Sequence, residues 1–223
     1  MEQKSMVPVE ELVARFKKMY TGIVSDAMDK LGLRHHLLPA YLRPLTPDMV
    51  VAGPAFTGRG EPVDDVNCDD NEIRFSMLES ISPYDIAVWQ TGMTDSCAHW
   101  GGMMTRSTRQ AGGAGAIIDG GCRDCNDILE QGFPIFFRFY SCGSSLGRWR
   151  IVSYQEPIQI GDITIHPGDF MMADIDGVIA IPKDHILEVL EKAEEMFDLE
   201  NRMGQDMAGG LGVRAAFDKY GVI

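Results

Sequence analysis

The chain has 223 residues, 45% of them hydrophobic and 24% charged, which is typical of a globular protein with a sizeable buried core. Its net charge of −13 argues against a nucleic-acid partner, because phosphate backbones are bound by basic surfaces. The chain has no apolar run of about 18 residues and no apolar signal region near Met1, and its five cysteines lack disulfide-framework spacing. We therefore expect a cytoplasmic protein that does not bind membranes.

The first part of the chain predicts two helices followed by short strands. Apolar residues recur at helical spacing over residues 8–19, and a second helix runs from about residue 21 to Gly32. Residues 33–48 form a proline-rich connection. Residues 49–58 then predict a strand, a turn and a second strand.

The rest of the chain alternates strands with helices. Strands are predicted over residues 85–90, 116–118 and 133–139, and helices over residues 72–80, 101–111 and 125–131. Later we expect a hairpin within residues 161–169, two strands within residues 170–181, a helix over residues 183–203 and a glycine-rich tail. This alternation predicts one α/β domain over residues 1–223, with the helices of residues 8–32 and 183–203 packing on it or on a neighbouring subunit.

Two adjacent glycines, Gly101 and Gly102, stand where the helix over residues 101–111 begins. The first amides of a helix have no internal partners and carry the positive end of the helix dipole, so they suit an anion. Glycine also lets a carboxylate approach the main chain closely. A plain turn is the alternative, but the position one helix and one strand before Arg123 favours an anion site.

A charged pair follows the glycine turn that ends the strand over residues 116–118. Arg123 offers a fork of donors that matches a carboxylate, and Asp124 offers hard oxygen ligands for a divalent cation. A cation site beside an anion site suits chemistry on a keto acid. An Arg-Asp pair on an exposed tight turn is the alternative interpretation.

Four other patterns point to chemistry less strongly. The glycines of residues 112–115 lie after a helix and before a strand, the reverse of a dinucleotide-binding loop. The pair Cys122 and Cys125 has zinc or redox spacing but no clear second pair. His99 has the chemistry of an acid or base, although a packed histidine is the better interpretation. Asp174 and Asp176 favour a turn over paired catalysis.

The motifs, in this order and spacing, resemble those of the RraA-like family, which contains 4-hydroxy-4-methyl-2-oxoglutarate / 4-carboxy-4-hydroxy-2-oxoadipate aldolases and a regulator of ribonuclease activity. The resemblance covers roughly residues 20–205, and its most specific part is Gly115-Ala-Ile-Ile-Asp-Gly-Gly-Cys-Arg-Asp124. The other matching segments are residues 21–27, 53–57, 100–104, 133–136, 167–169 and 173–178.

The resemblance implies a single-domain αββα sandwich that assembles as a homotrimer or homohexamer. It implies that Asp124 holds Mg²⁺ or Mn²⁺, mostly through water, and that Arg123 contacts the keto acid and steadies the enolate. The backbone of Gly101, Gly102, Met103 and Met104 would bind the substrate carboxylate, and Glu200 resembles an acidic residue lent by a neighbouring subunit. At the position of Gly102, however, the aldolases carry an acidic residue.

These residues together predict a class II-like, metal-dependent lyase. It would cleave a 4-hydroxy-2-oxo acid by a retro-aldol reaction that releases pyruvate, with oxaloacetate decarboxylation as a related activity. One alternative is an RraA-like regulator that binds a ribonuclease; that type lacks the metal aspartate that Asp124 provides here. A second alternative is an RraA-like enzyme for a different oxo acid, which Gly102 keeps open.

Overall fold

The computed structural model describes residues 7–221. The helices are α1 Val9–Phe16, α2 Thr21–Lys30, α3 Asn71–Glu79, α4 Gly102–Gln110, α5 Cys125–Glu130, α6 Ile186–Ala208 and α7 Val213–Tyr220. The strands are β1 Arg43–Pro44, β2 Val51–Pro62, β3 Ile86–Gln90, β4 Ala98–Trp100, β5 Gly115–Cys122, β6 Ile135–Tyr140, β7 Trp149–Tyr154, β8 Ile158–Ile160, β9 Ile163–Ile165, β10 Phe170–Ala173 and β11 Val178–Ile181. None of the helices within this range is long and apolar enough to span a bilayer.

One curled sheet of nine strands organises the fold. Its main order is β1-β6-β5-β3-β2-β10-β11, with β4 beside β5 and β7 beside β2. The strands β2, β3, β5 and β6 run parallel, whereas β10 pairs antiparallel with both β2 and β11. Strands β8 and β9 form a separate hairpin.

The long strand β2 belongs to both halves of the curled sheet. Its residues 51–54 pair with β10, and its residues 55–59 pair with β3. The turn predicted within residues 49–58 is therefore wrong, because Gly53 and Pro54 mark the point where the strand changes partners. Gly53 is required by space, since a Cβ there would lie 2.2 Å from the carbonyl oxygen of Tyr84.

The two halves of the sheet face each other, and helices cover both outer surfaces. The central core combines Ile86, Val88 and Ile117 from one half with Met171 and Ala173 from the other. Helices α1, α2 and α6 pack outside the β2-β10-β11 half, and α3, α4 and α5 pack outside the β3-β5-β6 half. The predicted α/β fold, an αββα sandwich, is confirmed.

The structure departs from the predicted elements in four further places. Glycines 120 and 121 continue β5 instead of forming a turn, and strand β7 was not predicted. Helix α7 replaces the expected glycine-rich tail, and α6 extends past residue 203 to Ala208. The single domain over residues 1–223 stays a prediction, and residues 1–6 and 222–223 lie outside the described residues.

Candidate active site

Strands β4 and β5 run side by side and deliver the predicted site residues to one edge of the sheet. Trp100 at the end of β4 pairs with Cys122 at the end of β5. The amide of Arg123 then donates a hydrogen bond of 3.0 Å to the carbonyl oxygen of Trp100. The start of α4, directly after Trp100, is thereby held against the turn that carries Arg123 and Asp124.

Asp124 adopts a left-handed backbone conformation, with φ of 56° and ψ of 32°, just before α5. Aspartate is one of the few non-glycine side chains that tolerate this region. The amide of Gly102, the first residue of α4, donates a hydrogen bond of 3.1 Å to Asp124 Oδ2. The carboxylate therefore lies at the positive end of α4, where its negative charge is stabilised.

Neighbouring carboxylates occupy the space where side chains on Gly101 and Gly102 would lie. A Cβ on Gly101 would lie 2.7 Å from Asp124 Oδ2 and 3.2 Å from Arg123 Cγ. A Cβ on Gly102 would lie only 2.0 Å from Asp127 Oδ2. Gly101 has an extended backbone with φ of −165°, which any residue can adopt. Close packing, and not backbone strain, therefore disfavours a side chain at this position.

Arg123 and Asp124 border a cavity of about 230 Å³ at this edge. Arg123 Nε lies 3.6 Å from Asp124 Oδ2, and both side chains are nearly half exposed. Gly101, Met103 and Met104 border the same cavity. The structure thus brings Gly101, Met103 and Met104 together with the Arg-Asp pair, whereas the buried Gly102 does not border the cavity. The cavity is smaller than the roughly 300–1,000 Å³ of drug-sized sites.

His99 borders this cavity but is a packed residue, as the sequence favours. Its side chain is 3% exposed, and its Nδ1 accepts a hydrogen bond of 2.9 Å from the amide of Gly121. Burial and the nearby Arg138 lower the pKa of His99 to about 4. A neutral imidazole whose acceptor nitrogen is already engaged buttresses β5 and is a poor candidate for acid–base catalysis.

Two further residues at this edge were not predicted from the sequence. Arg74 of α3 borders the cavity, and its guanidinium contacts Asp70 at 2.6 Å. Asp127 of α5 lies over Gly102, where it pairs with Arg106 and accepts a hydrogen bond of 3.2 Å from Gln131. Asp127 is so close to Gly102 that a Cβ at that position would lie 2.0 Å from its Oδ2. No local pattern in the sequence indicates this contact.

The remaining candidates lie apart or have structural roles. Glu200 of α6 accepts a hydrogen bond from the Tyr20 hydroxyl and borders a different groove, between α2 and α6. Its predicted role would need a neighbouring subunit and stays a prediction. Asp174 accepts hydrogen bonds from the amide and the hydroxyl of Thr21 at 2.7 and 2.6 Å, which fixes the start of α2.

The cysteine pair that flanks the Arg-Asp turn is in the thiol form. The sulfur atoms of Cys122 and Cys125 lie 4.0 Å apart, well beyond the ~2.05 Å of a disulfide bond. Burial raises the pKa of both thiols, which disfavours the reactive thiolate. Within residues 7–221, no three His, Cys, Asp or Glu side chains are grouped as metal ligands.

The chemistry of the donors fits a hydrated divalent cation. Mg²⁺ keeps several of its waters and is often bound through only one or two carboxylates. Asp124 provides one such carboxylate, oriented by the amide of Gly102 and nearly half exposed to solvent. A cation enclosed entirely by protein ligands does not fit the described residues, whereas a largely hydrated cation on Asp124 does.

A family model described as RraA-like, Aldolase/RraA, matches residues 21–180, most of the chain. The chain belongs to the RraA-like family. A relative from Halalkalibacterium halodurans, provisionally named a 4-hydroxy-4-methyl-2-oxoglutarate aldolase, is 30% identical over 94% of this chain and 95% of its own length. Protein DlpA of Legionella pneumophila is 28% identical over 88% of this chain, which spans only 32% of the length of DlpA.

Solved structures of similar proteins share this RraA-like fold. One, described as belonging to novel cellulases from microbes of the gut ecosystem, is 37% identical with a TM-score of 0.85, over 91% of this chain and 90% of that one. RraAS2 of Streptomyces coelicolor, described as an unusual member of the RNase ES inhibitor RraA family, is 26% identical with a TM-score of 0.77. That match covers 87% of this chain and 96% of RraAS2. The similar proteins thus include both aldolase and regulator names.

Proposed function

We propose that this RraA-like protein is a divalent-cation-dependent lyase that cleaves a 4-hydroxy-2-oxo acid by a retro-aldol reaction and releases pyruvate. Oxaloacetate decarboxylation is a related activity of the same site. The observation that carries the proposal is the position of Asp124, whose carboxylate is held at the start of α4 beside Arg123 and a small cavity. The aldolase name of the H. halodurans relative supports it.

Different groups around the cavity bind the substrate and stabilise the charge that develops on it. The amide of Gly102 is engaged by Asp124, so the next amides of α4, those of Met103 and Met104, bind the carboxylate of the oxo acid at the positive end of the helix dipole. Arg123 donates to the keto acid and stabilises the negative charge that develops as the carbon–carbon bond breaks. Mg²⁺ or Mn²⁺, held by Asp124, supplies Lewis-acid polarisation of the keto group when it is bound.

The main alternative function is that of a ribonuclease-binding regulator, the class to which RraAS2 is assigned by its description. A regulator that works by surface contact has no need of an oriented carboxylate beside an arginine in a cavity. Asp124 has that orientation here, since it accepts the amide hydrogen of Gly102. This arrangement favours the lyase.

The decisive experiment is a pyruvate-coupled assay with oxaloacetate, 4-hydroxy-4-methyl-2-oxoglutarate and 4-carboxy-4-hydroxy-2-oxoadipate. We expect pyruvate release with Mg²⁺ and its loss with EDTA. Arg123→Ala and Asp124→Asn should each abolish release while circular dichroism stays unchanged, because asparagine also tolerates the left-handed conformation of Asp124. Activity that persists in EDTA, or no activity on any of the three acids, would refute the lyase.

We also propose a homotrimer or homohexamer in which Glu200 reaches the site of a neighbouring subunit. Glu200 lies away from the Arg123 cavity of its own chain. Sedimentation velocity tests the assembly. Mixing Glu200→Gln subunits with Asp124→Asn subunits tests the shared site, because mixed oligomers would regain sites that carry both carboxylates.

A further inference from the structure

Arg74 borders the same cavity as Arg123. The two arginines come from different elements, since Arg74 lies on α3 and Arg123 on the turn after β5. The charged residues around this cavity are these two arginines and Asp124. Asp70 pairs with Arg74 but does not border the cavity, so the lining itself presents two guanidinium groups and one carboxylate to a ligand. Such a lining is complementary to an anionic ligand.

The guanidinium of Arg74 is held in place by Asp70. Asp70, one helical turn earlier, accepts its hydrogen bond at 2.6 Å, and the two side chains are only 19% and 13% exposed. Asp70 also accepts a hydrogen bond of 2.8 Å from the amide of Ile151 on β7. Because Asp70 is anchored on the sheet, it fixes the direction of Arg74, and a preorganised arginine loses less entropy when it binds a carboxylate.

The proposed function gives Arg74 no role beyond its ion pair with Asp70. The amides at the start of α4 and Arg123 account for one carboxylate and the keto group of the substrate. A neutral distal group would leave the charge of Arg74 facing an uncharged ligand. A second carboxylate would instead gain a charge-assisted hydrogen bond.

We propose that Arg74 binds a second, distal carboxylate of the substrate and so selects dicarboxylic over monocarboxylic oxo acids. This inference rests on the proposed function for the reaction itself. It assigns a specificity-determining role to a residue of α3, outside the Gly115–Asp124 motif.

Matched substrates test this role. 4-Hydroxy-4-methyl-2-oxoglutarate and 4-hydroxy-4-methyl-2-oxopentanoate both release pyruvate on retro-aldol cleavage but differ in the distal carboxylate. In Arg74→Gln we expect kcat/KM to fall about 10- to 100-fold for the dicarboxylate and to change less than about threefold for the monocarboxylate. Arg74→Lys keeps the positive charge but not the paired donors of the guanidinium, so its kcat/KM for the dicarboxylate should lie between those of Arg74→Gln and the wild type. Arg214→Gln on exposed α7 is the control for the loss of one positive charge.

A binding measurement separates this inference from the reaction. 2-Oxoglutarate and 2-oxopentanoate lack the 4-hydroxyl group and cannot be cleaved, and their binding is followed by isothermal titration. The wild-type protein should bind 2-oxoglutarate at least about tenfold more tightly, and Arg74→Gln should remove the difference. If Arg74→Gln misfolds, the double variant Asp70→Asn/Arg74→Gln removes both charges together and answers the same question.

The outcomes distinguish two failures. If the wild-type protein prefers 2-oxoglutarate but cleaves neither hydroxy acid, the lyase fails and the carboxylate-binding role of Arg74 stands. If cleavage occurs and Arg74→Gln affects both substrates or both analogues equally, the role of Arg74 is wrong and the lyase stands. Equal binding of the two analogues by the wild-type protein would also overturn the role of Arg74.

Discussion

His99 should make the protein less stable at mildly acidic pH. Its pKa falls from 6.5 to about 4 because burial penalises the imidazolium. Between these values the unfolded chain binds a proton that the folded chain does not, so folding stability is present above pH 6.5 and is lost as the pH falls towards 4. The full loss is about 3 kcal/mol, and about 2 kcal/mol of it is reached by pH 5.

Urea denaturation at pH 8 and pH 5, under reducing conditions, measures this contribution. Glutamine at position 99 stays neutral and offers an oxygen to accept the Gly121 amide hydrogen that His99 Nδ1 accepts at 2.9 Å. The free energy of unfolding of the wild-type protein should fall between the two pH values by about 2 kcal/mol more than that of His99→Gln. His35→Gln, at an exposed histidine, should behave as the wild type does. An equal fall in the wild type and in His99→Gln would refute the buried, neutral imidazole.

Three further changes test the packing around the site and the fold. Gly102→Ala should cost about 1 kcal/mol or less, because its Cβ displaces only the end of the Asp127 side chain and its partly exposed pair with Arg106; in the Asp127→Ala background the cost should disappear, and simple additivity in this double-mutant cycle would contradict the contact. Asp124→Asn should abolish Mn²⁺ binding in a calorimetric titration, and retained affinity would place the cation elsewhere. Asp174→Ala should destabilise the fold by about 1–3 kcal/mol and lower the midpoint of thermal unfolding, because the amide and hydroxyl of Thr21 lose their acceptor. An unchanged midpoint would contradict this role of Asp174.

Local patterns in the sequence predict the α/β class of fold and single out the Arg123-Asp124 pair, whereas the sandwich arrangement and the roles of the pair are implied by the family resemblance. The periodicity of apolar residues predicts α1, α2 and most of α6, because each buries one face of a regular helix. The Arg123-Asp124 pair was identified because it follows a buried, glycine-ended strand and precedes a helix. Both conclusions depend on residues that are close together in the chain, where composition and spacing carry the information.

Only the tertiary structure decided how distant residues meet. Gly53 and Pro54 predict a turn, yet β2 continues through them because β10 and β3 supply hydrogen-bonding partners on either side. Arg74 borders the cavity although its helix lies about fifty residues before Arg123, and Asp127 lies in the space that Gly102 leaves. The amino-acid sequence by itself determined most of the helices and strands and the position of the charged pair after β5, but not β7 or α7. The packing of α3, α4 and α5 on the sheet decided which side chains surround that pair, because such contacts depend on strand pairing that no local pattern encodes.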